Sequence, residues 1–313
     1  MSEERATAAG DPTDVLCTPA DYVRWAASRF AAAGLHYGHG FDNALDEAFY
    51  LVRHTLGLPH ELPEVYLRAR LMPDERDRLR ALIDRRVTTR EPVAYLTGEA
   101  WFCGMSFRVD ERVIVPRSPM AELIAEGFAP WLSAPPERVL DLCSGCGCIA
   151  IACAAAFPDA EVHAVELDSG AFALLEANIV DYNLGERVYS HKGDLFAPLA
   201  GEPPFDLIVS NPPYVPEAEW AALPEEYHRE PKLALAAGED GMAVVARLLE
   251  EAPQWLQPDG VLICEIGSSV AELEARFPGL PAYWPDFERG GSGVFVIDRA
   301  SLVAWQQGEV HVG

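Results

Sequence analysis

Apolar residues recur at helical spacing from Pro19 to about Arg90, and in a different rhythm after Glu137. In the first region "DYVRWAASRFAAAG", "FDNALDEAFYLVRHTLG" and "MPDERDRLRALIDRRV" each place apolar side chains on one face of a 3.6-residue turn, with Gly34 and Gly57 at the ends of two runs. The spacing predicts a small helical bundle over residues 1–94, with residues 1–18 disordered. The bundle offers no cluster of reactive side chains, so its expected role is recognition of a substrate. Residues 95–116, "YLTGEAWFCGMSFRVDERVIVP", alternate aromatic and β-branched residues around Gly104 and predict a β-hairpin linker.

From Glu137 onward short apolar runs alternate with helical patterns. The strand candidates are "RVLDL", "EVHAVE", "RVYSH", "FDLIVS", "GVLICEI", "AYWPDF" and "GVFVID". Helices "IAIACAAAF", "SGAFALLEANIVDY" and "MAVVARLLEEAPQWL" fit between the first five. Such alternation predicts a parallel sheet covered on both faces. The last two strands are joined only by "ERGGS", too short for a parallel crossover, and must pair antiparallel. A seven-stranded, mostly parallel sheet whose last strand is antiparallel is the α/β fold of class I methyltransferases, here expected over residues 117–313. A nicotinamide-binding sheet would be all parallel.

Two glycines then acquire a meaning. "VLDLCSGCGCIAIA" sets a strand, a tight loop and a helix in succession, and Gly145 and Gly147 let the backbone approach a ligand over the helix N-terminus. Asp141, at the strand end, is placed to accept from a ligand ammonium group. Glu166 ends the second strand, where acids hold ribose hydroxyls in nucleotide-binding sheets. Asp194 follows the third strand and could accept from an adenine amino group, with Leu195 and Phe196 beside the ring. The loop alone is equally a structural βα turn, and Cys148 stands where a dinucleotide fingerprint needs its third glycine. The set of acids and glycines at successive strand ends fits a nucleoside with an amino-acid tail, S-adenosylmethionine.

"DLIVSNPPYVP" brings in the chemistry. After the fourth strand, beside the first, come Asn211, Pro212, Pro213 and Tyr214. Two prolines make a stiff turn without N–H donors. The Asn211 side-chain oxygen and the Pro212 carbonyl are then placed to take both hydrogens of a substrate –NH₂ group, with Tyr214 against its flat face. Amide and aromatic amine nitrogens are poor nucleophiles. Two acceptors orient such a nitrogen and favour the positive charge that develops as a methyl group arrives. No strong base is needed, because the methylated nitrogen is acidic and loses its proton late. Substrate amides and the amino groups of adenine or cytosine both suit this pocket.

Charge separates those substrates. The 313 residues carry 49 acids against 24 Lys and Arg, a net charge of −25, and Lys192 and Lys232 are the only lysines. A phosphate backbone is repelled by such a chain, whereas a basic protein is attracted; the same charge also simply keeps a protein soluble. The polar, acidic start of the chain lacks the basic n-region and apolar core of a signal peptide, and no apolar run approaches a membrane span, so a cytoplasmic protein is expected. Seven cysteines argue against a disulfide framework. Cys143, Cys146, Cys148 and Cys153 lack a second CxxC and read as small hydrophobes, so no metal is expected. There is no HExxH and no GxSxG.

With these motifs the chain resembles the HemK-type N(5)-glutamine methyltransferases. The resemblance is carried by "WFCGMSFRVDERVIVPRSPMAELI", "DLCSGCGCIAIACAAAFPDAEV", "DLIVSNPPYVP", "LPEEYHREPKLALAAGEDG" and "GVLICEIG", and spans roughly residues 90–300. It implies that S-adenosylmethionine is held by the loop Cys143, Ser144, Gly145, Cys146 and Gly147, by Glu166, and near Asp194, and that Asn211 to Tyr214 bind the glutamine. Within the family it is similar to the branch acting on a glutamine of ribosomal protein three of the large subunit, which implies a basic partner, free or in assembly intermediates. Cys143 stands where the family usually has glycine, Glu166 where aspartate is common, and Leu195 where release-factor methylating relatives carry tryptophan. Methylation of release factors, of nucleic-acid amino groups, or a non-catalytic role in ribosome assembly are the alternatives. Arg117 in "VPRSP" either helps shape the site or makes an ordinary salt bridge.

Overall fold

The computed structural model describes residues 15–59, 61, 63–288 and 290–309. The chain divides into two compact units between Thr97 and Gly98.

The first unit is helical. Helix α1 (Pro19–Ala32) starts where Thr18 accepts from the Asp21 N–H and Asp21 bonds back to the Thr18 N–H, a capping box with Pro19 at the first helical position. Helix α2 (Ala44–Thr55) is capped by Asn43. Helix α3 (Pro73–Thr89) ends on Arg90 in the left-handed region, and a short α4 (Val93–Thr97) closes the unit. Tyr22, Phe30, Leu51, Leu79 and Ile83 are fully buried between them. Inside this apolar core Arg86 meets Glu47 at 2.7 Å, with the two side chains 0% and 3% exposed. The expected disorder of residues 1–18 lies outside the described residues up to residue 14. From Val15 the chain is ordered instead, because Leu16 packs into the helical core and the Cys17 carbonyl accepts from Leu71.

The second unit begins with the hairpin of β1 (Glu99–Phe102) and β2 (Met105–Arg108), turned at Cys103 and Gly104. The hairpin belongs to this unit rather than standing as a separate linker: the β2 residue Arg108 shares two backbone bonds with the Asn178 side chain and pairs with Asp181. After α5 (Met120–Ala125) come β3 (Arg138–Leu142), α6 (Cys148–Ala156), β4 (Glu161–Glu166), α7 (Ser169–Asp181), β5 (Val188–Lys192) and β6 (Phe205–Ser210). The chain continues through α8 (Glu217–Trp220), α9 (Ala243–Trp255), β7 (Leu256–Glu265), α10 (Val270–Arg276), β8 (Val294–Asp298) and α11 (Arg299–Gln306).

The sheet has six strands in the order β5-β4-β3-β6-β7-β8, parallel except for β8 against β7. Central strands covered on both faces read as continuous apolar runs, and β3, β4 and β6 are buried along nearly their whole length. Helix α6 is apolar all round and correspondingly buried, whereas α9 buries only a stripe of Val245, Leu248, Leu249 and Ala252. The seventh strand candidate, "AYWPDF", is reduced to one antiparallel bridge, Tyr283 with Val296. Pro281 and Pro285 flank it and cannot donate to a ladder, so pairing stops after one residue. The count of strands is therefore six, and the fold class is unchanged.

Candidate active site

Strand order reverses between β3 and β6, which lie side by side although β4 and β5 intervene in the chain. Open α/β sheets bind ligands at the carboxyl ends of their strands at such a point. A cavity of about 220 Å³ opens there. It brings together Cys143 and Gly145 after β3, Glu166 at the end of β4, Asp194 and Leu195 after β5, and Asn211 after β6. Pro213 also reaches it, whereas Asp141, Ser144, Cys146, Gly147, Pro212 and Tyr214 do not line it.

Two non-glycine residues of the cavity wall have left-handed backbone. Cys143 and Leu195, neither of them glycine, sit at φ 61° and 48°. Non-glycine residues held in the left-handed region cluster at functional sites because the surrounding packing must over-determine them. Gly147, at φ 82°, has the backbone conformation that favours glycine, and a Cβ there would also lie 2.3 Å from Leu175 Cδ1, so a larger residue would have to push that side chain aside.

Glu166 is nearly buried, and its two carboxylate oxygens accept from Gly145 N–H and Asp168 N–H, each at 2.8 Å. Burial raises its pKa, and the donated N–H bonds act in the opposite sense. Each oxygen keeps a second lone pair, which suits a pair of ribose hydroxyls. Asp194 is half exposed and held by Arg247 at 2.9 Å. Asp141 is fully buried: Oδ2 accepts from Ala150 N–H at 3.1 Å, fixing the start of α6, while Oδ1 has no partner among the described residues. Burial pushes its pKa up to about 7, and the nearby Glu166 carboxylate adds to the rise. The Cys143 thiol is likewise pushed up by burial, which makes it inert rather than nucleophilic. All seven cysteines are free, and the described residues contain no group of three or more His, Cys, Asp and Glu that could hold a metal ion.

The Asn-Pro-Pro-Tyr turn is gripped from behind. Tyr214 N–H and Val215 N–H both donate to the Leu235 carbonyl, and Ser269 Oγ donates to the Tyr214 carbonyl at 3.0 Å. A Cβ at Gly241 would lie 2.1 Å from the Tyr214 carbonyl oxygen, so the chain passes there only as glycine. Among the described residues nothing hydrogen-bonds the Asn211 carboxamide, which stands at the cavity wall. Tyr214 is turned away from the cavity, its hydroxyl toward Glu265. Arg117 makes a two-point pair with the buried Glu230 at 2.5 and 2.8 Å and lies over the Tyr227 ring. Burial alone would lower its pKa, but the Glu230 carboxylate outweighs it and raises the value.

Other wall residues escape sequence reasoning. Arg112, Val113 and Ile114 line the cavity from the segment after the hairpin, and Leu233 and Ala234 from the loop before α9. Only the apolar run "RVIVP" signalled the first group. Leu233, which is 56% exposed, lies in the segment "LPEEYHREPKLALAAGEDG", but nothing in that segment pointed it at a cavity.

A mostly parallel sheet with antiparallel β8, a glycine loop after β3 and a cavity between Glu166 and Asn211 define the fold of a class I methyltransferase. The family description "Methyltransferase small domain" matches residues 124–225, and "PrmC N-terminal domain" matches residues 21–98. A ribosomal protein uL3 glutamine methyltransferase from Bordetella pertussis is 50% identical over 289 residues, covering 92% of this chain and 97% of its own. The protein of the same name from Burkholderia pseudomallei is 50% identical over 295 residues, covering 92% and 96%. A solved methyltransferase from Pyrococcus furiosus is 22% identical, covers 63% of this chain and 89% of its own, and has a TM-score of 0.46. The chain belongs to the ribosomal protein uL3 glutamine methyltransferase family.

Proposed function

We propose that this enzyme transfers a methyl group from S-adenosylmethionine to the side-chain nitrogen of a glutamine in ribosomal protein uL3. The observation that carries the reading is the Asn211 carboxamide, without a partner among the described residues, in the wall of a cavity that also presents the Glu166 carboxylate. S-adenosylmethionine supplies an electrophilic methyl group on a sulfonium. Glu166 would hold its ribose hydroxyls, with Leu195 beside the adenine, and the unpartnered Oδ1 of Asp141, which lies behind the cavity wall under the glycine loop, would meet its ammonium group only if that loop shifts on binding. Asn211 and the Pro212 carbonyl would fix the two hydrogens of the glutamine amide, so that its nitrogen faces the methyl carbon. The N–C bond forms as the S–C bond breaks, and the amide nitrogen then gives up one proton to solvent.

Asp141 makes the cofactor reading testable by pH. Its folded pKa of about 7 lies above that of an unfolded carboxylate, so the protonated acid is favoured in the folded chain. Its contribution to stability is therefore full below about pH 4 and is lost as pH rises through about 7. An ammonium ligand reverses the preference by pairing with the ionised acid. Cofactor affinity measured by calorimetry is expected to strengthen by about tenfold between about pH 5.5 and 7 and then level off. Asp141→Asn is expected to flatten that dependence; an unchanged profile places the ammonium elsewhere.

The helical unit is read as the part that recognises the protein, since its polar side chains serve as helix caps, as one buried ion pair and as surface ion pairs such as Arg68 with Glu64, and not as a reactive cluster. The net charge of −25 favours a basic substrate before ribosomal RNA covers it. Incubation with labelled methyl donor decides: free uL3 or an assembly intermediate is expected to be labelled, and a finished large subunit not. Labelling of a release factor with uL3 untouched contradicts the substrate, and labelling of RNA or DNA alone contradicts the substrate class.

A further inference from the structure

Strand β7 ends on a carboxylate that faces no solvent and does not line the cavity. Glu265 is 6% exposed and accepts from the Ser118 hydroxyl at 2.5 Å and from the Tyr214 hydroxyl at 3.4 Å. Its neighbour Cys264 is in register with Ser210, the last residue of β6, so the acid stands directly beside the strand end from which the Asn-Pro-Pro-Tyr turn departs. Two residues further, Gly267 sits at φ +52°, and a Cβ there would come within 2.7 Å of the Tyr214 ring. The ring is thus closed in on one side by a backbone without a side chain, and its hydroxyl is aimed at the only acid bonded to it among the described residues.

A buried carboxylate is costly, and its space could be filled by an apolar side chain if packing were the whole requirement. An apolar group would leave the Ser118 and Tyr214 hydroxyls without their acceptor. Burial raises the Glu265 pKa, and the Ser118 hydroxyl, the nearby Arg117 charge and the Tyr214 hydroxyl act in the opposite sense.

We propose that Glu265 is a positioning residue for methyl transfer: by holding the Tyr214 hydroxyl on one oxygen and the Ser118 hydroxyl on the other, it fixes the turn that presents Asn211 to the substrate amide. This rests on reading that turn as the amide-binding element. Glu265 touches neither cofactor nor substrate; it acts through Tyr214.

The test compares full-length Glu265→Ala, Glu265→Gln, Tyr214→Phe and the Glu265→Ala/Tyr214→Phe double variant. Methyl transfer to uL3, cofactor affinity by calorimetry, and the ring resonance of Tyr214 in ¹³C-tyrosine-labelled protein are measured for each. Glu265→Ala and Tyr214→Phe are each expected to lower kcat by about tenfold or more while leaving cofactor affinity within about twofold. The double variant is expected to be no worse than the poorer single one. Glu265→Gln, which keeps an acceptor oxygen, is expected to recover most of the loss. Unchanged kcat in Tyr214→Phe, or additive losses in the double variant, overturns the proposal even if Glu265→Ala fails to fold. The resonance separates this claim from the substrate assignment. If the wild-type protein labels no uL3, the substrate reading fails, while a Tyr214 signal that moves in the Glu265 variants still supports the positioning role. A signal that does not move removes it.

Discussion

Asn211→Ala is expected to reduce methyl transfer by about a hundredfold or more while leaving the fold and cofactor binding intact. The carboxamide lies at the cavity wall and bonds to no other described group, so its removal costs the fold no hydrogen bond. What it removes is an acceptor aimed at a nitrogen that becomes positive in the transition state. Loss of one such preorganised partner is worth roughly 3 kcal/mol. The effect belongs to kcat rather than to cofactor affinity, because Glu166 and the glycine loop are untouched. Single-turnover kinetics with saturating cofactor measure it, and near-normal turnover contradicts the role given to the turn.

Glu47→Ala is expected to be the most damaging single change in the helical unit. The Arg86 guanidinium is fully buried and donates two hydrogen bonds to the Glu47 carboxylate, at 2.7 and 3.3 Å. Removing the acid takes away the carboxylate that neutralises a buried cation, and breaking a buried pair typically costs about 3–5 kcal/mol, a large part of a small domain's stability. Urea unfolding is expected to show an early transition from the helical unit, with the cofactor-binding unit melting as before. Replacing both partners by apolar residues of similar volume is expected to restore most of the loss, because the cost lies in burying a charge without its counter-charge. If the helical unit recognises the protein substrate, Glu47→Ala also abolishes transfer to uL3 with cofactor affinity retained. A loss below about 1 kcal/mol contradicts this account of the core.

The parts of the site legible in the sequence are those written in local patterns. Strand and helix alternate at distinct periods, so the ends of β3, β4, β5 and β6 could be located, and with them Glu166, Asp194 and Asn211. Gly145 and Gly147 mark the loop because glycine adopts positive φ most easily, but the close approach of Leu175 to Gly147 is a tertiary contact with no local signature. Asp141 illustrates the limit. Its position at a strand end was readable, whereas its complete burial and its bond to Ala150 depend on how α6 closes over it. The same holds for Tyr214: the motif places the residue, but the turn of its hydroxyl toward Glu265 depends on a strand 51 residues away. "AYWPDF" failed for a local reason, since flanking prolines limited an apparent strand to one bridge. Arg112 and Leu233 lie in segments that resemble the family, but their place at the cavity was not readable because they reach it from loops, whose paths follow no hydrophobic period.

The most direct measurement of the central claim is a crystal structure of the full-length protein with S-adenosylhomocysteine and a glutamine-bearing fragment of uL3. The account predicts the ribose hydroxyls on Glu166 and the glutamine amide nitrogen within hydrogen-bonding distance of both Asn211 Oδ1 and the Pro212 carbonyl. A glutamine bound away from Asn211, or a ribose held by residues other than Glu166, contradicts it.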